Sequence, residues 1–292
     1  MTSSEPGQRL ALVALVFNAT AWGLSWWPMR HFESLGLHSL WTTASIFGLA
    51  TLAIVAWQPS SLRAMLLNPS MWALAIVSGA TNTAFNWGVT IGEVVRVVLL
   101  FYLMPVWAAL LARWLLGEAL SIGVLGRAAL ALAGAAVVLW EPGLGVPAPQ
   151  SLGDWLGLAG GMGFAMVNVV LRRQAQTPAS QRALAMAAGG VIVPLAIAPA
   201  LLAAGLLGLP PPAEPAWLGQ LVAFAAFMLV ANLLLQYGAA RLPSRVTSIV
   251  LLSEVVVAAV SAALLAGEAL GTQVLIGGGL IMGASLLAAR DR

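Results

Sequence analysis

The sequence contains no lysine and no cysteine, because arginine supplies all 13 of its strongly basic residues. A Walker A phosphate loop and a pyridoxal phosphate Schiff base both need lysine, so ATP-driven transport by this chain alone and pyridoxal phosphate chemistry are excluded. The lack of thiols excludes disulfides, iron–sulfur clusters and cysteine zinc sites. The two histidines, His31 and His38, fall in one predicted loop, which excludes a histidine-rich metal centre. We therefore expect no cofactor.

Charged residues are also scarce, at 8% of 292 residues, against roughly 25% in a soluble domain. Hydrophobic residues make up 61% of the chain, and its mean hydropathy is +0.95. This composition excludes a soluble globular protein and makes the lipid bilayer an expected partner. The isoelectric point near 10.5 comes from arginines at loop edges, so it indicates orientation in a membrane rather than binding to nucleic acid.

Ten apolar stretches are long enough for transmembrane helices, which need about 20 residues each. They predict an all-α, polytopic membrane protein with short loops. The first stretch contains Ala19-Thr20-Ala21, which resembles a signal-peptidase site, but it continues through Trp26 and Trp27 without a polar break, so we expect this helix to be retained. The stretches lie near residues 10–28, 39–57, 70–91, 94–115, 121–140, 152–171, 183–206, 216–237, 246–265 and 272–289.

The distribution of arginine predicts the orientation of these helices. With the N-terminus in the cytoplasm, 11 of the 13 arginines lie on the cytoplasmic side, and only Arg30 and Arg96 lie outside. Because cytoplasmic loops of membrane proteins carry an excess of basic residues, both termini are expected in the cytoplasm.

An internal repeat divides the chain into two five-helix halves, residues 1–145 and 146–292, within one membrane domain. Gly117-Glu118-Ala119-Leu120 recurs 150 residues later as Gly267-Glu268-Ala269-Leu270. Because five is odd, the two halves must face opposite ways, which predicts inverted five-helix repeats and a binding site near the midplane between them. The shift of 150 also places Asn82 on Asn232, Asn86 on Gln236 and Trp87 on Tyr237, and a shift of 142 places Trp22 on Phe164 and Arg30 on Arg172.

These repeats, the Gly-Glu pair closing the fourth helix of each half, Pro105 in Leu103-Met104-Pro105-Val106, and Ala21-Trp22-Gly23 resemble the drug/metabolite transporter superfamily, EamA-like branch. The chain looks most like the bacterial exporters of aromatic and other bulky neutral amino acids. The resemblance implies a secondary carrier of the inner membrane that exports by alternating access, and not an enzyme. Where such proteins often carry Glu-Pro in the second half, this chain has Glu254-Val255, so a helix kink is less assured there.

The composition of the chain restricts the chemical class of its substrate. We expect no arginine at the bilayer centre, so phosphates, nucleotide sugars and dicarboxylates lack an anchor, and neutral or zwitterionic small molecules fit better. Efflux of cationic or amphipathic drugs is the alternative. An intramembrane enzyme is excluded, because Gly153-Asp154 has no second membrane aspartate to complete a catalytic pair.

Polar side chains within the membrane are the candidates for substrate binding, because they are costly there unless they are paired or face water. They could instead form hydrogen bonds that hold the helices together, and the aromatic residues among them could simply pack. Each half combines amides on one helix face with an aromatic–amide pair on another helix. The candidates are Asn18, Trp22, Asn82, Asn86, Trp87, Tyr102, Phe164, Asn168, Asn232, Gln236 and Tyr237.

Three glutamates need separate interpretations. Glu254 is the one acidic residue placed well inside a predicted helix, so it is the candidate for coupling to protons or for facing a substrate ammonium group, with neutral packing as the alternative. Glu118 and Glu268 lie at helix ends, where a cap or a salt bridge to a loop arginine is expected. The glycine steps through Gly153, Gly157 and Gly161 fit close packing within a monomer or a dimer interface, and we favour the monomer.

Overall fold

The computed structural model describes residues 5–117, 120–140 and 147–290, and this part of the chain is all-helical, with a helix content of 82% and no strand. Fourteen α-helices follow one another, and a π-helical turn at Ala262–Ala266 extends the thirteenth. Their bounds are α1 Glu5–Leu24, α2 Trp26–Ser34, α3 Ser39–Trp57, α4 Ser60–Leu67, α5 Pro69–Ile91, α6 Val94–Phe101, α7 Met104–Leu116, α8 Ile122–Val138, α9 Leu152–Arg173, α10 Ala179–Ala203, α11 Pro215–Ala239, α12 Ser244–Leu251, α13 Ser253–Ser261 and α14 Thr272–Arg290.

Eight helical stretches in the described residues are long and apolar enough to cross a membrane. The pair α4 and α5, bent by 96° where they join, gives a ninth span if it counts as one. Helix α8 is apolar but has only 17 residues, slightly short of the length that spans a bilayer. Each of the ten predicted stretches is helical over most of its length, in one helix or in consecutive helices, but the number of ten spans is not confirmed and stays a prediction.

The fourth predicted span of each half is broken. In the first half α6 ends at Phe101, and Pro105 in the next turn has no N–H to continue the helical ladder. In the second half the break falls at Leu252 without any proline. There the Ser253 hydroxyl donates to the Val250 carbonyl at 2.7 Å, and such side-chain bonds to the preceding turn bend helices. The α-helix is therefore interrupted here although Glu254-Val255 lacks the expected proline.

Helices of the two halves pack against each other rather than standing side by side. Helix α5 lies between α9 and α10, α1 lies against α11 and α13, and α8 lies against α14. Small residues permit these contacts. A Cβ atom on Gly134 would lie 2.6 Å from the carbonyl oxygen of Gly277, and a Cβ on Gly277 would meet the Gly134 carbonyl at the same distance. Close backbone approach of this kind is how helices associate in lipid, where apolar burial gives little driving force.

Candidate functional site

Four aromatic rings from four helices meet beside the break in the first half. Phe101, the last residue of α6, lies at their centre, with its ring centroid 4.9 Å from Phe85 and 5.6 Å from Phe164. Trp22 of α1 meets Phe85 edge-on at 6.2 Å. Trp22, Phe85, Phe101 and Phe164 are called the aromatic cluster below. Rings at these distances attract one another; Phe85 and Phe101 are buried, whereas Trp22 and Phe164 are partly buried.

Glycines of α9 allow α6 to approach closely, which positions Phe101 in the aromatic cluster. A Cβ on Gly157 would lie 2.8 Å from the Val97 carbonyl oxygen, and one on Gly160 would lie 3.1 Å from the Phe101 ring. A Cβ on Gly161 would collide with the Phe101 carbonyl. The glycine steps of α9 thus receive α6 of the same chain, which is the packing within one monomer that the sequence favoured.

The two helix breaks meet at a hydrogen-bonded pair. The Tyr102 hydroxyl, at the end of α6, lies 3.2 Å from Oε2 of Glu254 and 3.3 Å from the carbonyl oxygen of Leu251. Leu251 is the last residue of α12, and Glu254 lies in the first turn of α13. Tyr102 is only 4% exposed. A carboxyl group and a helix-end carbonyl therefore converge on one phenol at the junction of the two broken helices, next to the aromatic cluster.

An ion pair closes the bundle at the end where α6 begins. Arg30 donates to Oε1 of Glu268 at 3.1 Å and to the carbonyl oxygen of Gly92 at 2.6 Å. The same carboxylate accepts from the backbone N–H groups of Val94 and Val95 at 3.0 and 3.3 Å. Glu268 thus neutralises the positive N-terminus of α6, as expected for a helix-end glutamate that pairs with a loop arginine. Glu118, its counterpart in the repeat, lies outside the described residues.

A second ion pair at the same end involves residues that the sequence did not connect. Arg96 of α6 donates to both carboxylate oxygens of Asp154, at 2.8 and 2.9 Å. Asp154, whose side chain is 2% exposed, also accepts from the Gln150 and Ser151 N–H groups and completes the capping box that begins α9. Arg30–Glu268 and Arg96–Asp154 are called the terminal ion pairs, and their side of the bundle is called the Arg30 end.

The predicted amides have different surroundings. Asn18 donates to the Ala231 carbonyl at 2.9 Å, and Asn86 donates to the Thr43 hydroxyl at 3.1 Å, so both join neighbouring helices. Asn168 and Asn232 instead donate to carbonyls four residues earlier in their own helices, Phe164 and Met228. For Asn82 and Gln236 the described part of the chain offers no side-chain hydrogen bond.

Trp87 and Tyr237 lie apart from the aromatic cluster. Trp87 meets His38 edge-on, with 5.4 Å between ring centroids, in the loop region at the Arg30 end. His38 accepts a hydrogen bond from the Leu40 N–H and so caps α3. Burial lowers the pKa of His38 below its ordinary value of 6.5, and the nearby charge of Glu33 opposes that shift. Tyr237 stacks on Arg241 at 3.7 Å, near the opposite end of α11.

The structure therefore brings together four of the predicted residues, Trp22, Tyr102, Phe164 and Glu254, and adds two, Phe85 and Phe101. The other predicted residues are distributed over the bundle, and a shared role for them stays a prediction. Within the described residues, no group of three or more histidine, aspartate or glutamate side chains could hold a metal ion.

The described helices define a multi-pass, all-helical membrane protein. Residues 9–140, slightly less than half of the chain, match the model of the EamA-like transporter family. Proteins of that family are transporters, which points to a membrane transporter of small metabolites rather than to an enzyme.

The comparison with solved structures adds a likeness in fold only. One solved structure, described as the crystal structure of a protein, matches with a TM-score of 0.59 over 96% of this chain and 98% of its own. The two sequences are 16% identical, so the likeness shows the fold alone. No curated protein matches the sequence.

Proposed function

We propose that this chain is a secondary transporter of the EamA-like family that exports aromatic and other bulky neutral amino acids, or similar amphipathic metabolites. The observation that carries the proposal is the junction of two broken helices, where Tyr102 meets Glu254 beside the aromatic cluster. Secondary transporters bind substrate where discontinuous helices meet near the membrane midplane.

Ten spans in two inverted halves, residues 1–145 and 146–292, are part of this proposal. Helices α6 and α12 support it, because each has eight residues and the two are displaced by 150 positions. Gly117 and Gly267, displaced by the same number, both have left-handed backbone conformations, with φ of +68° and +67°. A left-handed glycine terminates a helix, so both fourth spans end in the same way.

The proposed orientation places both termini in the cytoplasm and the Arg30 end outside the bacterial inner membrane. The terminal ion pairs then close the outer side, while Asn168 and Gln236, in the inner halves of α9 and α11, are exposed. The proposed conformation is a carrier open towards the cytoplasm. Asn82 and Asn232 are proposed to face a common central cavity, and Asn18 and Asn86 to fix the helices beside it.

Glu254 is the proposed coupling group, because intramembrane carboxyl groups commonly mark ion paths. If it gains and releases a proton in each cycle, Glu254→Gln should remove the dependence of export on a pH gradient and retain exchange of substrate down its own gradient. A mutant with the pH profile of the wild type would leave Glu254 with a packing role.

Transport by purified protein in liposomes tests the proposal. Tryptophan, phenylalanine and alanine would be compared with a lipophilic cation, with and without a pH gradient, against protein-free liposomes. Trp22→Ala should reduce tryptophan transport several-fold, whereas Trp114→Ala, at a side chain that is 87% exposed, should not. Transport of the cation without tryptophan transport would favour drug efflux, the alternative function that the carboxyl group of Glu254 supports.

A further inference from the structure

We propose that Tyr102, Glu254 and the carbonyl group of Leu251 form a subsite that binds the primary ammonium group of the substrate. The inference rests on the proposed transport function and specifies its substrate class as amines that carry an apolar, preferably aromatic, body. Neither the sequence repeat nor the family match assigns this group of atoms.

Hydrogen-bond acceptors outnumber donors at the junction of Tyr102, Glu254 and Leu251. A tyrosine hydroxyl carries one proton, but Tyr102 faces two acceptors at nearly equal distances, Glu254 Oε2 at 3.2 Å and Leu251 O at 3.3 Å. One proton cannot satisfy both acceptors. The other carboxylate oxygen of Glu254 has no hydrogen-bond donor among the described residues. The junction therefore has more acceptors than donors, and a ligand with several N–H groups would correct this.

The helix break creates the carbonyl acceptor. In an uninterrupted helix the Leu251 carbonyl would accept from the N–H group of Val255. Here the Val255 N–H donates to Leu252 at 3.2 Å, so the Leu251 carbonyl is left for Tyr102. This carbonyl also lies at the C-terminus of α12, where the helix dipole places partial negative charge and favours a cation.

The distribution of charge around the junction of Tyr102, Glu254 and Leu251 favours binding of a cation. Tyr102 is the side chain that contacts the carboxyl group of Glu254 in the described structure, and the arginines with described contacts lie towards the two ends of the bundle. A primary ammonium group offers three N–H donors, which match the carboxylate, the Leu251 carbonyl and the Tyr102 oxygen. The ring centroid of Phe101 lies 6.0 Å from that of Tyr102, close enough to contact the aromatic body of such a ligand.

Binding to the purified full-length protein in detergent tests the subsite without requiring transport. Titration calorimetry would compare tryptamine, which has the ammonium group, with indole-3-propionate, which has the same ring and a carboxylate in place of the amine. We expect the wild type to bind tryptamine and Glu254→Gln to bind it at least about tenfold more weakly, the loss typical of a hydrogen bond to a charged group. Indole-3-propionate should change less than about threefold.

Two further variants exclude a merely structural effect. Glu254→Asp keeps the charge and should recover part of the tryptamine affinity. Tyr102→Phe removes one of the three proposed acceptors and leaves the carboxylate, so tryptamine affinity should fall by about three- to tenfold, less than in Glu254→Gln, while indole-3-propionate changes less than about threefold. Equal losses for both ligands in Glu254→Gln, an unchanged tryptamine affinity in Tyr102→Phe, or no tryptamine binding by the wild type would overturn the subsite.

The binding test of the subsite and the transport test of the proposed function can give different outcomes. If liposomes show no amino acid export but tryptamine binding still depends on Glu254, the ammonium subsite stands and the exported amine is another compound. If amino acids are exported and Glu254→Gln leaves tryptamine affinity unchanged, the transport function stands and the subsite is wrong.

Discussion

Helices α6 and α12 occupy equivalent places in the repeat, yet their surroundings differ strongly. Seven of the eight residues of α6 are buried, whereas none of the described α12 side chains, 246–251, is buried, and Val246 and Ile249 are exposed. Helix α6 is enclosed by helices of both halves and held at its start by both terminal ion pairs. The comparison shows that helices at equivalent positions of the sequence repeat can be enclosed in one half and more exposed in the other.

The sequences of the two helices explain part of the difference. Arg96, the third residue of α6, pairs with Asp154, but the shift of 150 places Val246 at the equivalent position of α12. The second half therefore carries no arginine at the position equivalent to Arg96. Under the proposed alternation of the two halves, an ion pair that this position forms in one half alone would favour the conformation in which α6 is closed.

Among the substitutions that test the difference between α6 and α12, Asp154→Asn is expected to have the largest effect on stability. It leaves Arg96 without its charged partner in a site where the Asp154 side chain is 2% exposed, and breaking such a buried pair costs about 3 kcal/mol. We expect a corresponding loss of stability in denaturant unfolding. Glu93→Gln, an exposed glutamate in the loop before α6, is the control and should have little effect.

The absence of cysteine allows the same variant to be tested for opening. A cysteine in place of Val98, which is 2% exposed, is expected to resist water-soluble thiol reagents in the otherwise unchanged protein. In combination with Asp154→Asn it should react faster. An unchanged rate of labelling would mean that the ion pair stabilises the fold without controlling the closure of α6.

Glu268→Gln should have a smaller effect than Asp154→Asn. Arg30 and Glu268 are 29% and 15% exposed, so water compensates part of the lost charge, and glutamine can still accept from the N–H groups of α6. We expect a loss of about 1 kcal/mol in unfolding free energy. A loss larger than that of Asp154→Asn would show that the Arg30–Glu268 pair, and not the Arg96–Asp154 pair, controls the Arg30 end.

The sequence predicted the helices more completely than the site. Apolar stretches and glycines mark helices directly, and the offset of 150 indicated two related halves. Most candidate residues were predicted where the two halves match. Phe85 and Phe101 were therefore missed, because the shift of 150 places Leu235 and Leu251 at the equivalent positions.

The contacts that define the junction depend on how the helices pack. Tyr102 and Glu254 were separate candidates, because no periodicity reveals that two helix breaks meet. The pairing of Arg96 with Asp154 likewise depends on α6 lying along the glycines of α9. Glu268 was predictable, since a glutamate at a helix end has few roles other than pairing or capping.

Two equivalent aromatic positions, one in each half, allow the halves to be compared in their effect on substrate transport. Trp22 and Phe164 correspond in the repeat, and each packs on a different phenylalanine of the aromatic cluster. Trp22→Ala and Phe164→Ala should each weaken tryptophan transport several-fold relative to alanine transport, because one aromatic pair contributes about 0.5 to 1.5 kcal/mol. Equal losses for both substrates would indicate damage to packing in general.

The smallest expected effect concerns the pH dependence of the Arg30 end. His38 caps α3 by accepting a hydrogen bond at Nδ1 from Leu40, which it can do only while Nδ1 is unprotonated. Burial lowers the pKa of His38 in the folded protein, and the unfolded chain keeps the ordinary value of 6.5. Between these two values the unfolded chain binds more protons, so the contribution of His38 is complete above pH 6.5 and decreases as the pH falls below it.

His38→Asn provides the test, because asparagine can cap a helix but does not titrate. Between pH 7.5 and 5.5 the wild type should lose up to about 1 kcal/mol of stability relative to this variant, the usual contribution of a helix cap. His31→Asn is the control, since His31 is exposed and its ring hydrogen-bonds to Gln220 across the loop region. Parallel pH profiles for the wild type and His38→Asn would show that protonation leaves the cap intact and that His38 contributes no pH dependence to the stability of the fold.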